Sequence, residues 1–239
     1  MPQLINVRPV SNDVRDQSVC AVVSSMTTPL ERALAGQEVG PRSVVESADP
    51  LGAGLRRALR LGAEWVWLLD ESAIPRPSAL LALVEALDRI EGLPRPAILA
   101  GAVVGPSGEV DPSLAPWYRR APTENAMTAA EWRLLPIRAA GGPVLVSRRA
   151  IETEQPPRPR LSTASAMLEW TARLLRSRRG YWVPESEHLA GAEARDPAAQ
   201  PLASAALLLG GSFTGSERLG VGFELAERAG KALSQRRLS

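Results

Sequence analysis

Short apolar runs alternate with amphipathic segments of helical period through about the first hundred residues of the chain. Four of these runs have the length of strands and carry apolar residues on both faces, which indicates strands buried inside a covered sheet. The predicted strands are residues 18–24, 42–46, 64–70 and 97–104. Helices are predicted to begin near Pro29, Pro50 and Pro77, because proline is favoured in a first helical turn. This alternation predicts an α/β fold with a mostly parallel sheet.

The second half of the chain has a weaker pattern. Its predicted elements are a strand over 137–146 interrupted by Gly141-Gly142, a helix over 164–178 and a short strand over 180–184. Residues 223–237 are predicted to form an amphipathic helix. We therefore expect one domain over residues 1–195, with an irregular arm at 1–16, and a linker with a C-terminal helical tail over residues 196–239.

The strand predicted over 64–70 ends at two adjacent carboxylates, Asp70 and Glu71, followed by Ser72 and Pro75. In an open α/β sheet, ligands bind at the carboxyl ends of the strands. Acidic groups are costly to bury there unless a metal, a hydrogen-bond network or a substrate uses them. The motif favours an enzyme that handles an anionic substrate through a divalent cation. The alternative is that these acids only cap the helix that follows or bond the turn.

Charge and composition narrow the class of protein. The chain has 28 basic and 26 acidic residues and a net charge of +2, which argues against nucleic-acid binding through bulk charge. Its one cysteine, Cys20, excludes an internal disulfide and a multi-thiolate metal site, and it lies in an apolar run typical of a core. No signal-peptide core and no apolar run of membrane-spanning length is present in the sequence, so a cytoplasmic protein is predicted.

Five segments, in order, resemble the inverting family 2 glycosyltransferases of the GT-A fold over roughly residues 18–191. They read AVVSSMTTPLERALAGQ, SVVES, GAGLRRALRLGAEWVWLLDESAIPRPSALLALVEAL, AAGGPVLVSRRAIE and MLEWTARLLRSRRGYWVPESEH. The order of the segments is more specific than any one of them. The family's DxD motif has an acid at its third position, where this chain has Ser72, so the motif here is degenerate.

The resemblance implies a GT-A-like, Rossmann-related twisted sheet flanked by helices. It implies an inverting transfer of a sugar from a nucleotide-sugar donor to a hydroxyl of a glycan or lipid-linked acceptor, as in cell-envelope biosynthesis. The departing diphosphate would be neutralised by Mg²⁺ or Mn²⁺ held by carboxylates and phosphates. The residues implied at this metal are Asp70, Ser72 and His188, with Glu71 beside them on the donor.

The same resemblance gives roles to three further residues. Glu169 takes the position of the general base that removes the proton of the acceptor hydroxyl. Glu46, at the end of the second predicted strand, takes the position of the acid that contacts the nucleoside, and Ser24, after the first predicted strand, could line the same pocket. Each has a plain structural alternative: Glu169 as a solvated helix residue, and Glu46 and Ser24 as turn formers. The lone His188 could equally be an ordinary surface or core residue.

Two rival functions remain open at this stage. A catalytically silent GT-A-like binding or scaffold protein is suggested by the degenerate motif. A nucleotidyltransferase is disfavoured, since no glycine-rich, basic phosphate loop follows the first predicted strand. The tail helix leaves open a peripheral contact with the inner face of the membrane, and a homo-oligomer is also open.

Overall fold

The computed structural model describes residues 4–5, 18–70, 73–90, 95–105, 108–110, 115–118, 134–154 and 163–190. Within these ranges the chain forms a mixed α/β structure in which a mostly parallel core sheet is flanked by helices. This confirms the predicted fold class. The predicted linker and tail helix, most of the predicted N-terminal arm, and both Glu71 and Ser72 lie outside the described residues.

Ten strands and five α-helices are described. The strands are β1 (Leu4–Ile5), β2 (Val19–Val23), β3 (Ser43–Glu46), β4 (Trp65–Leu69), β5 (Ala73–Pro75), β6 (Ile98–Val104), β7 (Trp117–Tyr118), β8 (Leu135–Ala139), β9 (Val144–Ser147) and β10 (Gly180–Ala190). The helices are α1 (Thr28–Ala35), α2 (Leu55–Arg60), α3 (Ala79–Arg89), α4 (Arg148–Thr153) and α5 (Thr163–Leu174). A single π-helical turn, Pro50–Gly54, leads directly into α2.

The strands follow the order β1-β3-β2-β4-β9-β6-β10-β8-β7, and β5 pairs with β10 off this path. Strands β3, β2 and β4 pair in parallel, and β6 pairs in parallel with β10. Strand β9 runs antiparallel between β4 and β6. Five core strands therefore point the same way around one reversed strand, so their carboxyl ends share one edge of the sheet.

Each face of the sheet buries its own apolar cluster. One cluster joins Val22, Val66 and Leu68 of the sheet to α2 and α5. The other joins Ala21, Trp67 and Leu145 to α1 and α3. Because successive side chains of a strand point to opposite faces, the continuous apolar runs in the sequence are explained by burial on both sides. Cys20 is a buried core residue, and its burial raises the pKa of the thiol.

The predicted strand over 137–146 is wrong as a single element. Strand β8 ends before Gly141-Gly142 and pairs with β10, whereas β9 begins after Pro143 and inserts between β4 and β6. The glycine pair lets the chain change position in the sheet. Strand β5 was not predicted at all, and β10 extends beyond the predicted 180–184 to Ala190. In the described part of the chain, no helix is both long and apolar enough to cross a membrane.

Candidate functional site

The carboxyl ends of three parallel strands, β3, β2 and β4, lie side by side. Val23 of β2 pairs with Glu46 of β3 and with Leu69 of β4. The next residues, Ser24 and Asp70, therefore leave neighbouring strands at the same level. The register brings Ser24, Glu46 and Asp70, all predicted from the sequence, to one edge of the sheet. This is the edge where open α/β sheets bind ligands.

Glu46 is half-buried at this edge and already has a partner in the protein. Its Oε1 accepts a hydrogen bond of 2.9 Å from the backbone N–H of Met26. The bond ties the loop after β2 to the end of β3. The Glu46 side chain thus shapes the loop that carries Ser24, and its predicted contact with a nucleoside stays a prediction.

The neighbouring loop, after β3, is closed by Asp49. The Asp49 carboxylate accepts bonds from the backbone N–H groups of Gly52 (3.0 Å) and Ala53 (2.9 Å), which caps the π-helical turn. Any side chain at Gly52 would collide with this carboxylate. Asp49 therefore serves the local fold.

Asp70 directly follows β4 and is half-buried. Its carbonyl oxygen accepts a bond of 3.0 Å from the N–H of Ala73, so the chain turns tightly between β4 and β5. Glu71 and Ser72 belong to this turn in sequence, and their predicted roles at a metal or diphosphate are outside what the structure describes. Asp70, the first residue of the motif, therefore lies at the carboxyl end of a central strand, as the sequence predicts.

His188 is fully buried on β10, opposite Pro75 of β5. Its Nδ1 lies 3.1 Å from the carbonyl oxygen of Ser186 and 3.3 Å from that of Ala102. Since carbonyl oxygens only accept, Nδ1 carries the proton and Nε2 presents its lone pair. Burial lowers the pKa of His188 to about 4, the two carbonyls opposing the shift, so the ring is neutral near pH 7.

The Nε2 atom of His188 is buried and has no hydrogen-bond partner among the described atoms. The ring meets Trp67 of β4 edge-on, with ring centroids 5.8 Å apart. A ring whose Nδ1–H is held by carbonyls and whose Nε2 lone pair is open has the tautomer of a metal-ligating histidine. The predicted role of His188 at a metal stays a prediction.

The described residues include a side chain of the kind that binds a divalent cation. No group of three or more His, Cys, Asp or Glu side chains able to hold a metal occurs among them. Mg²⁺, however, is usually held by one or two carboxylates together with substrate phosphates. Asp70 supplies such a carboxylate at the right end of the sheet, so a metal that arrives with a diphosphate suits this donor set.

Glu169 lies on α5 within a chain of ion pairs. Its Oε1 is 2.6 Å from Nε of Arg173, and Nη1 of Arg173 is 2.7 Å from Oε1 of Glu154. Only 15% of the Glu169 side chain is exposed. Arg173 therefore holds the predicted base in place from one turn along the helix. The sequence shows the spacing of Glu169 and Arg173, but it gave no sign of Glu154.

Helix α5 is fixed to the glycine pair through Thr171. The buried Thr171 hydroxyl accepts a bond of 3.0 Å from the N–H of Ala140 and lies 2.9 Å from the carbonyl oxygen of Ala140. Ala140 immediately precedes Gly141-Gly142, where the chain passes from β8 to β9. The helix that carries Glu169 is thus docked on that same segment.

Arg178, which follows α5, has a structural role. Arg178 donates to Thr153 Oγ1 and to the carbonyl oxygen of Ala150 in α4. Such contacts suit a helix C-terminus, where carbonyl groups lack partners. Arg178 therefore fastens the chain after α5 to α4.

Sequence analysis missed Gly101 and Ser186, which lie against His188. A Cβ atom at Gly101 would come within 2.6 Å of His188 Cε1 and 2.8 Å of the Ser186 carbonyl oxygen. The signal was present: a glycine inside an apolar strand indicates close approach of another group.

Comparisons with known proteins give distant likeness. No protein-family model and no curated protein matches the sequence. A crystal structure of S. aureus TarS, residues 1–349, matches with 12% identity and a TM-score of 0.49, over 88% of this chain and 71% of that chain. The crystal structure of A197 from STIV matches with 14% identity and a TM-score of 0.45, over 70% of this chain and 81% of that chain. Likeness at this level carries no argument about the activity of this chain.

Proposed function

We propose that this protein is an inverting, metal-assisted glycosyltransferase that moves a sugar from a nucleotide-sugar donor to a hydroxyl of a glycan or lipid-linked acceptor. The observation that carries the proposal is the register that brings Ser24, Glu46 and Asp70 to the carboxyl edge of the parallel core. The order of motifs in the sequence supports it. The donor would lie along this edge, with its nucleoside near Ser24 and its diphosphate near Asp70.

In the proposed reaction the acceptor oxygen attacks the anomeric carbon of the donor from the face opposite the diphosphate. The bond from that carbon to the diphosphate oxygen breaks, and the diphosphate leaves with the bonding electrons. Glu169 takes the proton of the acceptor hydroxyl. Bound Mg²⁺ or Mn²⁺, held by Asp70 with Glu71, Ser72 or His188 as further ligands, would neutralise charge on the diphosphate.

Arg173 has a stated part in this scheme. Its ion pair with Glu169 orients the carboxylate, and its second pair with Glu154 fixes the guanidinium in turn. A base must lie within hydrogen-bond reach of the proton it removes. The ion-pair chain therefore sets where on α5 an acceptor hydroxyl would have to lie.

A catalytically silent binding or scaffold protein is the second candidate, and a specific observation favours it. Both Glu46 and Glu169 are engaged by the protein itself, through the Met26 N–H and the Arg173 guanidinium. The third position of the DxD-like motif is Ser72. A domain that had lost its chemistry would keep this internal bonding and lose donor turnover.

Binding to the donor edge can be measured by titration calorimetry with UDP, GDP and dTDP, each with Mn²⁺ or with EDTA. The proposal expects one nucleotide to bind with Mn²⁺ and to lose at least about tenfold in affinity with EDTA or in Asp70→Asn. Asp88→Asn, an exposed aspartate on α3, is the matched control and should bind as wild type does. Metal-independent binding, or equal affinity of the Asp70 variant, would overturn the metal role.

Turnover separates the transferase from the scaffold. With water as the acceptor, slow hydrolysis of the matching nucleotide sugar is expected, and Glu169→Gln should reduce it about a hundredfold because a general base is lost. Glu85→Gln, on an exposed position of α3, is the control. Nucleotide binding without hydrolysis, unchanged in both variants, would favour the scaffold.

A further inference from the structure

The pairing between strands β6 and β10 is interrupted in the interior of the protein, next to strand β5, which follows Asp70. Strand β10 pairs with β6 in register up to Val183, opposite Gly101, and resumes pairing at Glu187, opposite Ala102. Residues 184–186 therefore have no partners on β6 and form a bulge in β10. A buried carbonyl without a partner costs free energy, so the interruption needs another donor.

The imidazole of His188 supplies that donor. Its Nδ1–H points to the carbonyl oxygen of Ser186 in the bulge, at 3.1 Å, and to that of Ala102 on β6, at 3.3 Å. One ring thus joins the bulge to the neighbouring strand where backbone pairing fails. Gly101 is part of the same arrangement, because any side chain there would occupy the space of the ring.

Beyond the bulge, β10 holds β5. His188, Leu189 and Ala190 pair with Pro75, Ile74 and Ala73 in antiparallel register. The backbone N–H of Arg76 donates to the Glu187 carbonyl oxygen at 3.0 Å, and the two side chains form an ion pair of 3.0 Å. Strand β5 begins three residues after Asp70, and the N–H of its first residue, Ala73, donates to the Asp70 carbonyl oxygen, so the end of β10 is linked to Asp70 through β5.

We propose that His188 is a positioning residue that acts through Nδ1: it fastens the 184–186 bulge to β6, and the fastened end of β10 holds β5 and the Asp70 turn in place. This role belongs to Nδ1 and is separate from any role of Nε2 at a metal. Only the consequence for nucleotide binding rests on the proposed function.

The tautomer tests the proposal directly. His188 is the only histidine of the chain, so a ¹⁵N spectrum of the imidazole contains one pair of ring nitrogens. At pH 7 in EDTA, the proton is expected on Nδ1. A proton on Nε2, or a mixture of both tautomers, would overturn the proposal.

Substitutions separate the two ring nitrogens. Asparagine places an amide near the position of Nδ1, whereas glutamine reaches the position of Nε2. Amide hydrogen exchange at Ala73 and Ile74 should be on the order of tenfold faster in His188→Gln than in wild type, and restored in His188→Asn. Exchange in β2 should not change. Equal exchange in both variants, or protection by glutamine alone, would contradict the role of Nδ1.

Glycine variants test the same arrangement without substituting His188. Gly101→Ala should displace the ring and speed exchange at Ala73, while Gly180→Ala, at the other end of β10 beside Leu175, should leave Ala73 as in wild type. Equal effects of the two glycine variants would overturn the proposal. These readouts need no nucleotide, so they stand even if no nucleotide binds. If nucleotide does bind, His188→Gln should weaken it more than the Asn variant does, whereas a pure Nε2 ligand would give the reverse order.

Discussion

At the scale of single residues, burial decides the chemistry of His188. The ring has no exposed surface, and the two carbonyl oxygens near Nδ1 accept hydrogen bonds from its N–H. Desolvation penalises the imidazolium, so the pKa falls from 6.5 to about 4. A neutral histidine in the fold and a protonated one in the unfolded chain make stability depend on pH.

Acid should therefore destabilise the protein through His188. Between pH 6.5 and about 4 the unfolded chain binds the proton and the folded one does not, so the stabilising contribution is full above pH 6.5 and is lost as the pH falls to about 4. The loss is on the order of 3 kcal/mol. Urea unfolding in EDTA at several pH values measures it. The loss should be smaller in His188→Asn, and identical pH dependence in both proteins would contradict this assignment.

At the scale of elements, Thr171 joins α5 to the segment before the glycine pair. The variant Thr171→Val keeps the shape and removes the hydroxyl, which leaves the buried N–H of Ala140 without its partner. The expected loss in the free energy of unfolding is about 1–3 kcal/mol. Thr171→Ser keeps the hydroxyl and should retain most of the stability in urea titrations. Equal stability of the valine variant would show that the bond contributes nothing.

The elements also show which strands a local sequence pattern can predict. Strands β2, β4 and β6 were predicted because burial on both faces leaves an uninterrupted apolar run. Strand β5 has three residues and includes Pro75, so nothing in its local pattern indicates a strand. Its partner is the end of β10, where Glu185, Ser186 and Glu187 hide the strand pattern. Both elements exist because of pairing between distant parts of the chain, which a local pattern does not contain.

At the scale of the whole molecule, the sequence predicts the strand ends that carry the candidate site, and the register between the strands brings these ends together. Ser24 and Asp70 follow apolar runs, and the parallel pairing of β2 with β4 brings them together. The engagement of Glu46 by Met26, and of Arg173 by Glu154, could not be predicted because these partners are 20 and 19 residues apart. The metal, the donor and the acceptor stay predictions from the sequence.

The central claim is that the carboxyl edge of the sheet binds a nucleoside diphosphate together with a divalent cation. Paramagnetic broadening by Mn²⁺ in ¹H–¹⁵N spectra, recorded with and without UDP, GDP or dTDP, tests it most directly. With the nucleotide that binds, the amide signals of Ser24 and Asp70 should broaden, while those of Ser18 and Ala63, at the amino ends of β2 and β4, stay sharp. Broadening centred on the amino ends, or none with any nucleotide, would contradict the account.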